Sequence, residues 1–574
     1  MIERIKNYKF TIKNILSFIL YSILFWLLIG YIILPICNTF VQAFQSEGGY
    51  SFDVFKEYLS NSNNLRVVSN TFILGLGSVI VCSVMGIALA LYMTFICDKY
   101  KKLIHILLLS PMMIPGVILV IACIQLYGET GIVTKAIEML FPFIKVHYEF
   151  SGLKGILFVV AYTQYVYFYL NVYVALKYVD YSTVEAARGM GASKIRVFFD
   201  VICPVITPAV ITSTIVTFAS GISSFSAPNL IGGGFKVLST QIVRSKANNY
   251  MDIASVQVII LLLMGISFMM LLQYYGKKYG VVASLKAQSF KTNNRKNTLF
   301  TFVCKIIIGI QIIMTILPII TIVYLSFVTT HSIMTDIFPR EFTIENYQMI
   351  FEKSRVLKPM LNSLKMSLMA VIAGLIITVP VAYVVTKNNN IHNRLAKFII
   401  MLPWSMPASA IAVNLINTFN QKSIFAFNTT LIGGFYILPI AYTIYALPLL
   451  FSSNEVAMKS INLGLEESSR SLGAGKLKTF YNVIIPNMMP GIISGAILVF
   501  IRTIGEYTMS ALLYGVYNRP ISISIITNMQ EFNIGISMAY GVLVIAICYV
   551  ALGIIFKLDR KRFIQILDKS GHDC

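Results

Sequence analysis

Long apolar runs alternate with short polar stretches along most of this 574-residue chain. A helix of about 20 apolar residues crosses the hydrocarbon core of a bilayer, and the chain offers roughly twelve such runs. Residues 253–272 and 538–556 are apolar nearly all round, whereas strands of a membrane β-barrel alternate between a lipid face and a lumen face. The pattern therefore predicts an all-α, polytopic membrane protein with about twelve transmembrane helices.

The first apolar run, about residues 15–34, follows four basic residues near the N-terminus. A signal peptide has an apolar region of only about 7 to 15 residues, followed by a cleavage site with small residues. This run is longer and no such site follows it. We expect an uncleaved first helix and a cytoplasmic N-terminus.

Composition and charge agree with a membrane protein: the chain is 57% hydrophobic, 12% charged and has a formal net charge of +22. Soluble domains carry about twice that share of charged residues. The basic residues cluster in alternate loops, at 99–102, 177–196, 277–296, 387–397, 459–478 and 557–569. The positive-inside rule places these loops and the C-terminus in the cytoplasm, which explains the charge without nucleic-acid binding.

The residue types that bind metals or act as nucleophiles are dispersed. The eight cysteines form no CxxC pair, and the five histidines are scattered. The sequence thus predicts no metal site, no catalytic residues and no membrane-embedded enzyme, since no acid and base pair or metal cluster is recognisable.

A polar stretch at 286–298, rich in Lys, Asn and Gln, divides the chain near its midpoint and is typical of a linker. We expect a first unit at 1–285 with a core at about 66–276, and a second at 299–574 with a core at about 358–557. Six apolar runs lie on each side, so both units enter the membrane from the same side. Their repeat is therefore parallel, about an axis along the membrane normal.

The two units repeat each other in sequence. At one constant separation, the matched pairs are Asn70 and Asn362, Thr94 and Thr386, Pro111 and Pro403, and Pro115 and Pro407. After a shift of ten residues a second block matches, 184–208 with 466–490, which we call the first loop and the second loop. Its matched pairs include Glu185 and Glu467, Arg188 and Arg470, Gly191 and Gly473, Lys194 and Lys476, and Pro204 and Pro486.

Each loop has a helix-forming segment, a glycine and an amphipathic run that ends at a proline. Gly191 and Gly473 suit a sharp bend, and Pro204 and Pro486 suit the first turn of the next membrane helix. One such loop could be an amphipathic helix resting on lipid headgroups. Two at equivalent places favour a paired surface that docks a partner of matching two-fold symmetry.

The loops resemble the EAA loop of importer permeases of the ATP-binding cassette (ABC) type: Glu-Ala-Ala, three residues, Gly, nine residues, then Ile-x-Leu-Pro. The first loop keeps Glu185, Ala186, Ala187, Gly191 and Pro204, and the second keeps Glu467, Gly473 and Pro486. The departures are Val201, Cys203, Ser468, Ser469, Val483 and Ile485. The resemblance covers nearly the whole chain as two type-1 permease units, each with an extra leading helix.

This resemblance implies that the loops couple two copies of a separate ATPase, which binds ATP and Mg, to the membrane bundles. It also implies an extracytoplasmic solute-binding protein, a location in the cell membrane and no cofactor on this chain. The sequence Gly473 to Lys476 is not a P-loop, because Arg470 and Leu477 stand where Gly and Ser or Thr are needed. A twelve-helix secondary transporter is the alternative class, although it would need ion-coupling carboxylates within its spans.

Charged residues within a span mark functional sites by default. Arg502 and Glu506 lie one helical turn apart, either as a structural ion pair or on the translocation path. The other candidates for the path are Ser223, Ser224, Tyr507 and Thr508.

The cargo is suggested by two segments, 502–515 (RTIGEYTMSALLYG) and 225–242 (FSAPNLIGGGFKVLSTQI). They most resemble the ferric-iron branch of these permeases, which implies ferric iron as the cargo. Relatives of that branch transport thiamine, 2-aminoethylphosphonate or polyamines, and these alternatives remain open.

Overall fold

The structure is a computed structural model that describes residue 19 and residues 21–46, 49–97, 100–141, 149–279, 299–388 and 390–558. The predicted linker at 286–298 lies outside these residues, as do the basic residues that precede the first helix.

The first half is a series of helices with one small hairpin, formed by β1 (Gln45–Ser46) and β2 (Gly49–Tyr50). Its helices are α1 (Tyr21–Phe44), α2 (Asp53–Ser60), α3 (Ser62–Phe95), α4 (Lys101–Leu109), α5 (Gly116–Tyr127), α6 (Ile132–Leu140), α7 (Gly152–Leu176), α8 (Tyr181–Gly189), α9 (Lys194–Val197), α10 (Cys203–Ile222), α11 (Ser226–Ile231), α12 (Leu238–Ala247) and α13 (Met251–Tyr279).

The second half begins with three helices, α14 to α16, and from α17 it repeats the order of helices that starts at α3. Its helices are α14 (Leu299–Ser326), α15 (Thr330–Thr335), α16 (Glu345–Glu352), α17 (Ser354–Lys387), α18 (Ile391–Met401), α19 (Ala408–Phe419), α20 (Ile437–Lys459), α21 (Leu463–Ser471), α22 (Lys476–Thr479), α23 (Ile485–Ile504), α24 (Thr508–Leu513), α25 (Ile521–Gln530) and α26 (Ile534–Leu558). Helices α17 to α26 correspond one by one to α3 to α13, apart from α6.

Eleven helices of the described residues are long and apolar enough to cross a membrane. A further candidate is the pair Ile391–Ser405 and Ala408–Phe419, which is bent by 113°. The bend falls at Pro403 and Pro407, where proline interrupts the helical hydrogen bonds. Counting this pair as one span gives six spans in each half, which confirms the predicted all-α fold of about twelve helices.

Each leading helix packs partly against the opposite half. In α1, the Asn38 amide donates to Thr418 Oγ1 of α19 at 3.0 Å. In the first half, the Tyr162 hydroxyl of α7 donates to the carbonyl of Thr315 in α14. The two halves are therefore interlocked by helices that the sequence repeat does not include.

Candidate functional site

The helices that lead into the two loops, α8 and α21, begin with the same kind of cap. The side chain of Asp180 accepts a hydrogen bond from the Ser182 amide at 3.0 Å, and Asn462 accepts one from the Gly464 amide at 3.0 Å. Both residues occupy equivalent positions of the repeat, and both satisfy an amide that the first helical turn leaves without a partner. The starts of α8 and α21 are therefore held in the same way.

The bend that ends each of these helices is identical. Gly191 and Gly473 both have a φ of +83°, a left-handed conformation that favours glycine. The amide of the next residue, Ala192 or Ala474, bonds back to the carbonyl of Ala187 or Ser469. This is the Schellman arrangement, which satisfies the last carbonyls of a helix while turning the chain. The predicted bends are thus present at both glycines.

Beyond the bend, the chain runs into a membrane helix with a single turn of π-helix in each loop, Phe198–Ile202 and Phe480–Ile484. Pro204 and Pro486 are the second residues of α10 and α23. Proline has no amide hydrogen, so it tolerates the altered hydrogen bonding at the end of a π turn. Each loop therefore continues without a gap into the membrane helix that follows it.

The acidic residues of the EAA pattern face outward. Glu185, Ala186, Glu467 and Ser468 are exposed, while Ala187 and Ser469 are half-buried. Ser469 Oγ lies 3.1 Å from Thr479 Oγ1, which ties α21 to α22. The exposed carboxylates are available to a partner.

The strongest shared feature of the loops is one that sequence reasoning missed: large apolar side chains exposed at equivalent positions. The pairs and their exposed fractions are Met190 (83%) and Leu472 (89%), Ile195 (72%) and Leu477 (68%), and Phe199 (61%) and Tyr481 (62%). Exposed apolar patches of this kind mark protein or membrane contacts. The signal was available in the aligned blocks, where each pair is apolar in both copies.

The root of the second loop contains a buried ionic network. Glu466, the residue before the Glu of the pattern, is 6% exposed and bonds to Lys387 Nζ at the end of α17. Arg470 Nη2 lies 2.5 Å from Glu466 Oε1. Lys387 Nζ also donates to the Tyr383 hydroxyl at 2.8 Å. The network fastens α21 to the bundle and was not predicted.

The root of the first loop is apolar instead. Val184, the equivalent of Glu466, is 2% exposed and belongs to a cluster that includes Leu91 and Phe95 of α3. Nearby, Lys177 Nζ lies 4.9 Å from the centre of the Tyr173 ring. Burial, with a smaller contribution from the charge of Lys101, lowers the pKa of Lys177.

The candidate ion pair of Arg502 and Glu506 does not form, since no ion pair joins them in the part of the chain that the structure describes. The Glu506 carboxylate accepts bonds from the amides of Met509 at 3.0 Å and Ser510 at 3.1 Å, so it caps α24. Arg502 Nε and Nη2 donate to the Tyr445 hydroxyl at 3.0 and 2.5 Å. Helix capping uses the carboxylate because the chain turns sharply at Gly505, at the end of α23.

The remaining path candidates converge between the halves. Tyr507 and Phe225 are equivalent in the repeat, yet their rings contact each other with centroids 5.1 Å apart. Asn229 of α11 also donates to the Tyr507 hydroxyl at 3.0 Å. Two equivalent residues of a two-fold repeat meet only at its axis, so this contact marks the centre of the molecule.

Ser223, Ser224 and Thr508 lie beside this contact. Ser223 is the C-terminal cap of α10, and Thr508 is the first residue of α24. The carbonyl of Ser224 accepts a bond from Ser239 at 2.6 Å, as the carbonyl of Glu506 does from Ser522 at 2.7 Å. The backbones of the two halves therefore match here although the side chains differ. Among the described residues, no group of three or more His, Cys, Asp or Glu is placed to hold a metal ion.

A duplicated helical bundle, paired loops with the same bend and an aromatic contact on the axis fit a membrane transport component of the ABC permease class. The chain belongs to the family described as the binding-protein-dependent transport system inner membrane component. The family model matches twice, at residues 82–279 and 370–564.

Curated relatives agree with this family. The probable ABC transporter permease protein y4fN of Sinorhizobium fredii is 28% identical, over 94% of this chain and 95% of its own length. The ferric transport system permease protein FbpB of Actinobacillus pleuropneumoniae is 24% identical, over 94% and 77%. The spermidine/putrescine transport system permease protein PotB of Escherichia coli is 28% identical, over 40% and 85%. These relatives are transport components rather than enzymes.

Proposed function

We propose that this chain is the translocation subunit of an ABC importer and that α8 and α21 each dock one copy of a separate cassette ATPase. The observation that carries the proposal is the duplication of both the bend and the exposed apolar side chains. A surface that is copied so closely on two halves suits a partner that is itself present twice.

The ATPase would hold ATP and Mg and would close on nucleotide binding. Since each loop continues into a membrane helix through one π turn, movement of α8 or α21 would move α10 or α23 as a rigid body. This function requires both loops and both termini on the cytoplasmic side of the cell membrane. An extracytoplasmic binding protein would deliver the cargo to the opposite side.

Ferric iron is the cargo that we propose first, because the similarity to the ferric permease extends over most of this chain. A polyamine is the second candidate, supported by the similarity to PotB over a shorter part of the chain. Thiamine and 2-aminoethylphosphonate remain further candidates from the resemblance of the sequence.

The docking proposal can be tested by replacing the most exposed apolar side chain of each loop. We expect Met190→Ser with Leu472→Ser to prevent co-purification of a co-expressed cassette ATPase in mild detergent and to abolish ATP-driven uptake. Apolar residues at the centre of an interface carry much of its binding energy. The matched control is Val516→Ser, because Val516 is 90% exposed but lies outside both loops, in the segment that follows α24.

Unchanged co-purification and uptake in the double variant would contradict docking at these loops. Uptake by the unaltered chain that follows an ion gradient and ignores ATP would instead identify a secondary transporter.

A further inference from the structure

We propose that Arg502 is a binding site for oxyanion groups on the translocation path, so that the cargo passes it as an anionic species. The inference rests on the proposed function, in that the space between the two halves is taken as the import path. It concerns the charge of the cargo, which the loops do not reveal.

Arg502 lies close to the boundary between the two halves. Its side chain is exposed and stands beside Tyr445 of α20, and one turn further along the chain Gly505 packs directly against Pro115 of the first half. An exposed side chain between helices of both halves faces the space that they enclose. Arg502 therefore borders the space between the two halves.

The Arg502 guanidinium group has more hydrogen-bond donors than its contact with Tyr445 uses. The guanidinium group has five N–H donors in a planar fork, and the hydroxyl of Tyr445 receives one from Nε and one from Nη2. The guanidinium carbon also lies 4.2 Å from the centre of the Tyr445 ring, which orients the plane of the group. Three donors, including both on Nη1, have no hydrogen-bond partner among the described residues, and these form the edge that binds carboxylate or phosphate oxygens.

Arg502 has no carboxylate within ion-pair distance among the residues that the structure describes, although Glu506 is near enough to act on its charge. The nearest candidate in sequence, Glu506, uses both oxygens to cap α24. A charge within a membrane bundle is costly unless it is paired, and a cation with free donors attracts anions.

The first half carries no charge at the positions equivalent to Arg502 and Glu506. The position equivalent to Arg502 in the first half is Ser220, and the equivalent of Glu506 is Ser224. The positive charge is thus present on one side of the path, where it would bind one oxyanion group at a time. A polyamine would be repelled there, whereas ferric iron would pass when its ligands are anionic, as in ferric citrate.

The experiment measures modification of Arg502 by phenylglyoxal, a reagent for arginine, in the detergent-purified full-length chain by mass spectrometry. Separate samples contain inorganic phosphate, ferric citrate or spermidine, with ionic strength matched by chloride. We expect phosphate or ferric citrate to slow modification by a factor of 1 + [L]/Kd, about five-fold at about four times the Kd. The two anions distinguish a phosphate-like cargo from a carboxylate chelate, and spermidine should not protect.

Arg188 is the internal control, because it is exposed on the first loop, outside the path. Its modification should be equal in all samples. A Tyr445→Phe variant tests whether Arg502 acts only in packing: it removes the shared hydroxyl but leaves the three free donors, so protection by the anion should persist. Loss of protection in this variant, with the fold retained, would overturn the proposal.

Failure of Arg502 to react, or equal protection by spermidine and the anions, would also overturn it. The assay uses neither ATP nor an ATPase, so its outcome is independent of the docking test. Absence of ATP-driven ferric citrate uptake by the complete transporter would count against iron as the cargo and leave the protection result standing.

Discussion

The two loops have the same outer surface but are fastened to their bundles by different chemistry. In the second half, Glu466 at the root of α21 pairs with Lys387 and Arg470. In the first half, the positions of Lys387 and Glu466 are occupied by Phe95 and Val184, which belong to one apolar cluster. A buried ionic contact in one half thus replaces an apolar contact in the other.

A second set of positions shows the same difference. The equivalent residues are His105, Tyr173 and Lys177 in the first half and Lys397, Glu455 and Lys459 in the second. His105 packs on the Tyr173 ring with centroids 5.2 Å apart, and Lys177 lies over the same ring. In the second half, Glu455 accepts from Lys397 at 2.7 Å and from Lys459 at 2.8 Å.

The comparison indicates which parts of the repeat are constrained. The exposed apolar side chains and the glycine bends are alike in both copies, as expected if both loops contact the same kind of partner. Glu466 pairs with Lys387 and Arg470 of its own half and Val184 lies in an apolar cluster, so any set of contacts that packs well is sufficient at each root. The two halves are therefore expected to differ in their response to mutation and salt at the roots, but not at the bends.

The largest effect is expected from Lys387→Met, which removes one partner of the buried pair. Glu466 keeps Arg470 and a hydrogen bond from the Tyr383 hydroxyl at 3.4 Å, so we expect a loss of about 3 kcal/mol of stability, at the lower end for a broken buried ion pair. Thermal unfolding of the purified protein would measure this loss. The control is Lys177→Met in the first half, at the position equivalent to Lys459; it loses a cation–π contact and should cost about 1 kcal/mol or less.

A double variant sharpens this test. Lys387→Phe with Glu466→Val installs the first-half root in the second half and leaves no carboxylate buried there. We expect it to be more stable than Lys387→Met alone, because a buried ion pair can be replaced by packed apolar residues at little cost. A double variant that is no more stable than the single one would show that the ionic contact is required for another reason.

An intermediate and equal effect is expected at the two bends. Gly191→Val and Gly473→Val each force a β-branched residue to a φ of +83°, at a cost of about 1 to 3 kcal/mol. Thermal stability and the ATPase activity of the complex would both fall, by similar amounts for the two sites. Gly189→Ser and Gly475→Ser are the controls, because both glycines lie outside the left-handed region, have no atom within 4 Å of an added Cβ, and align with a serine in the other half.

The smallest effect is expected from salt. Raising the ionic strength from about 0.1 M to about 1 M shortens the Debye length from about 10 Å to about 3 Å, which weakens partly exposed ion pairs. The contacts of Glu455 are of this kind and are worth about 1 kcal/mol or less. The thermal midpoint should therefore depend less on salt in Glu455→Gln than in the unaltered protein, whereas Tyr173→Phe, its first-half equivalent, should leave the salt response unchanged.

The sequence by itself determined the class of fold, the duplication and the positions of both loops along the chain. Apolar runs of membrane length and a glycine between two helical segments are local patterns, so they are readable without tertiary contacts. The pairs Gly191 with Gly473 and Asn70 with Asn362 followed from alignment of the chain with itself.

Only the tertiary structure decided which side chains meet. The chain separates Lys387 from Glu466 by a full helical hairpin, and it places Tyr445 far from Arg502, so neither contact is visible as a local pattern. Conversely, Arg502 and Glu506 have the spacing of an ion pair, but the helix ends between them and Glu506 caps the next one. Helical periodicity gives the direction of a side chain only while the helix continues, and packing determines its partner.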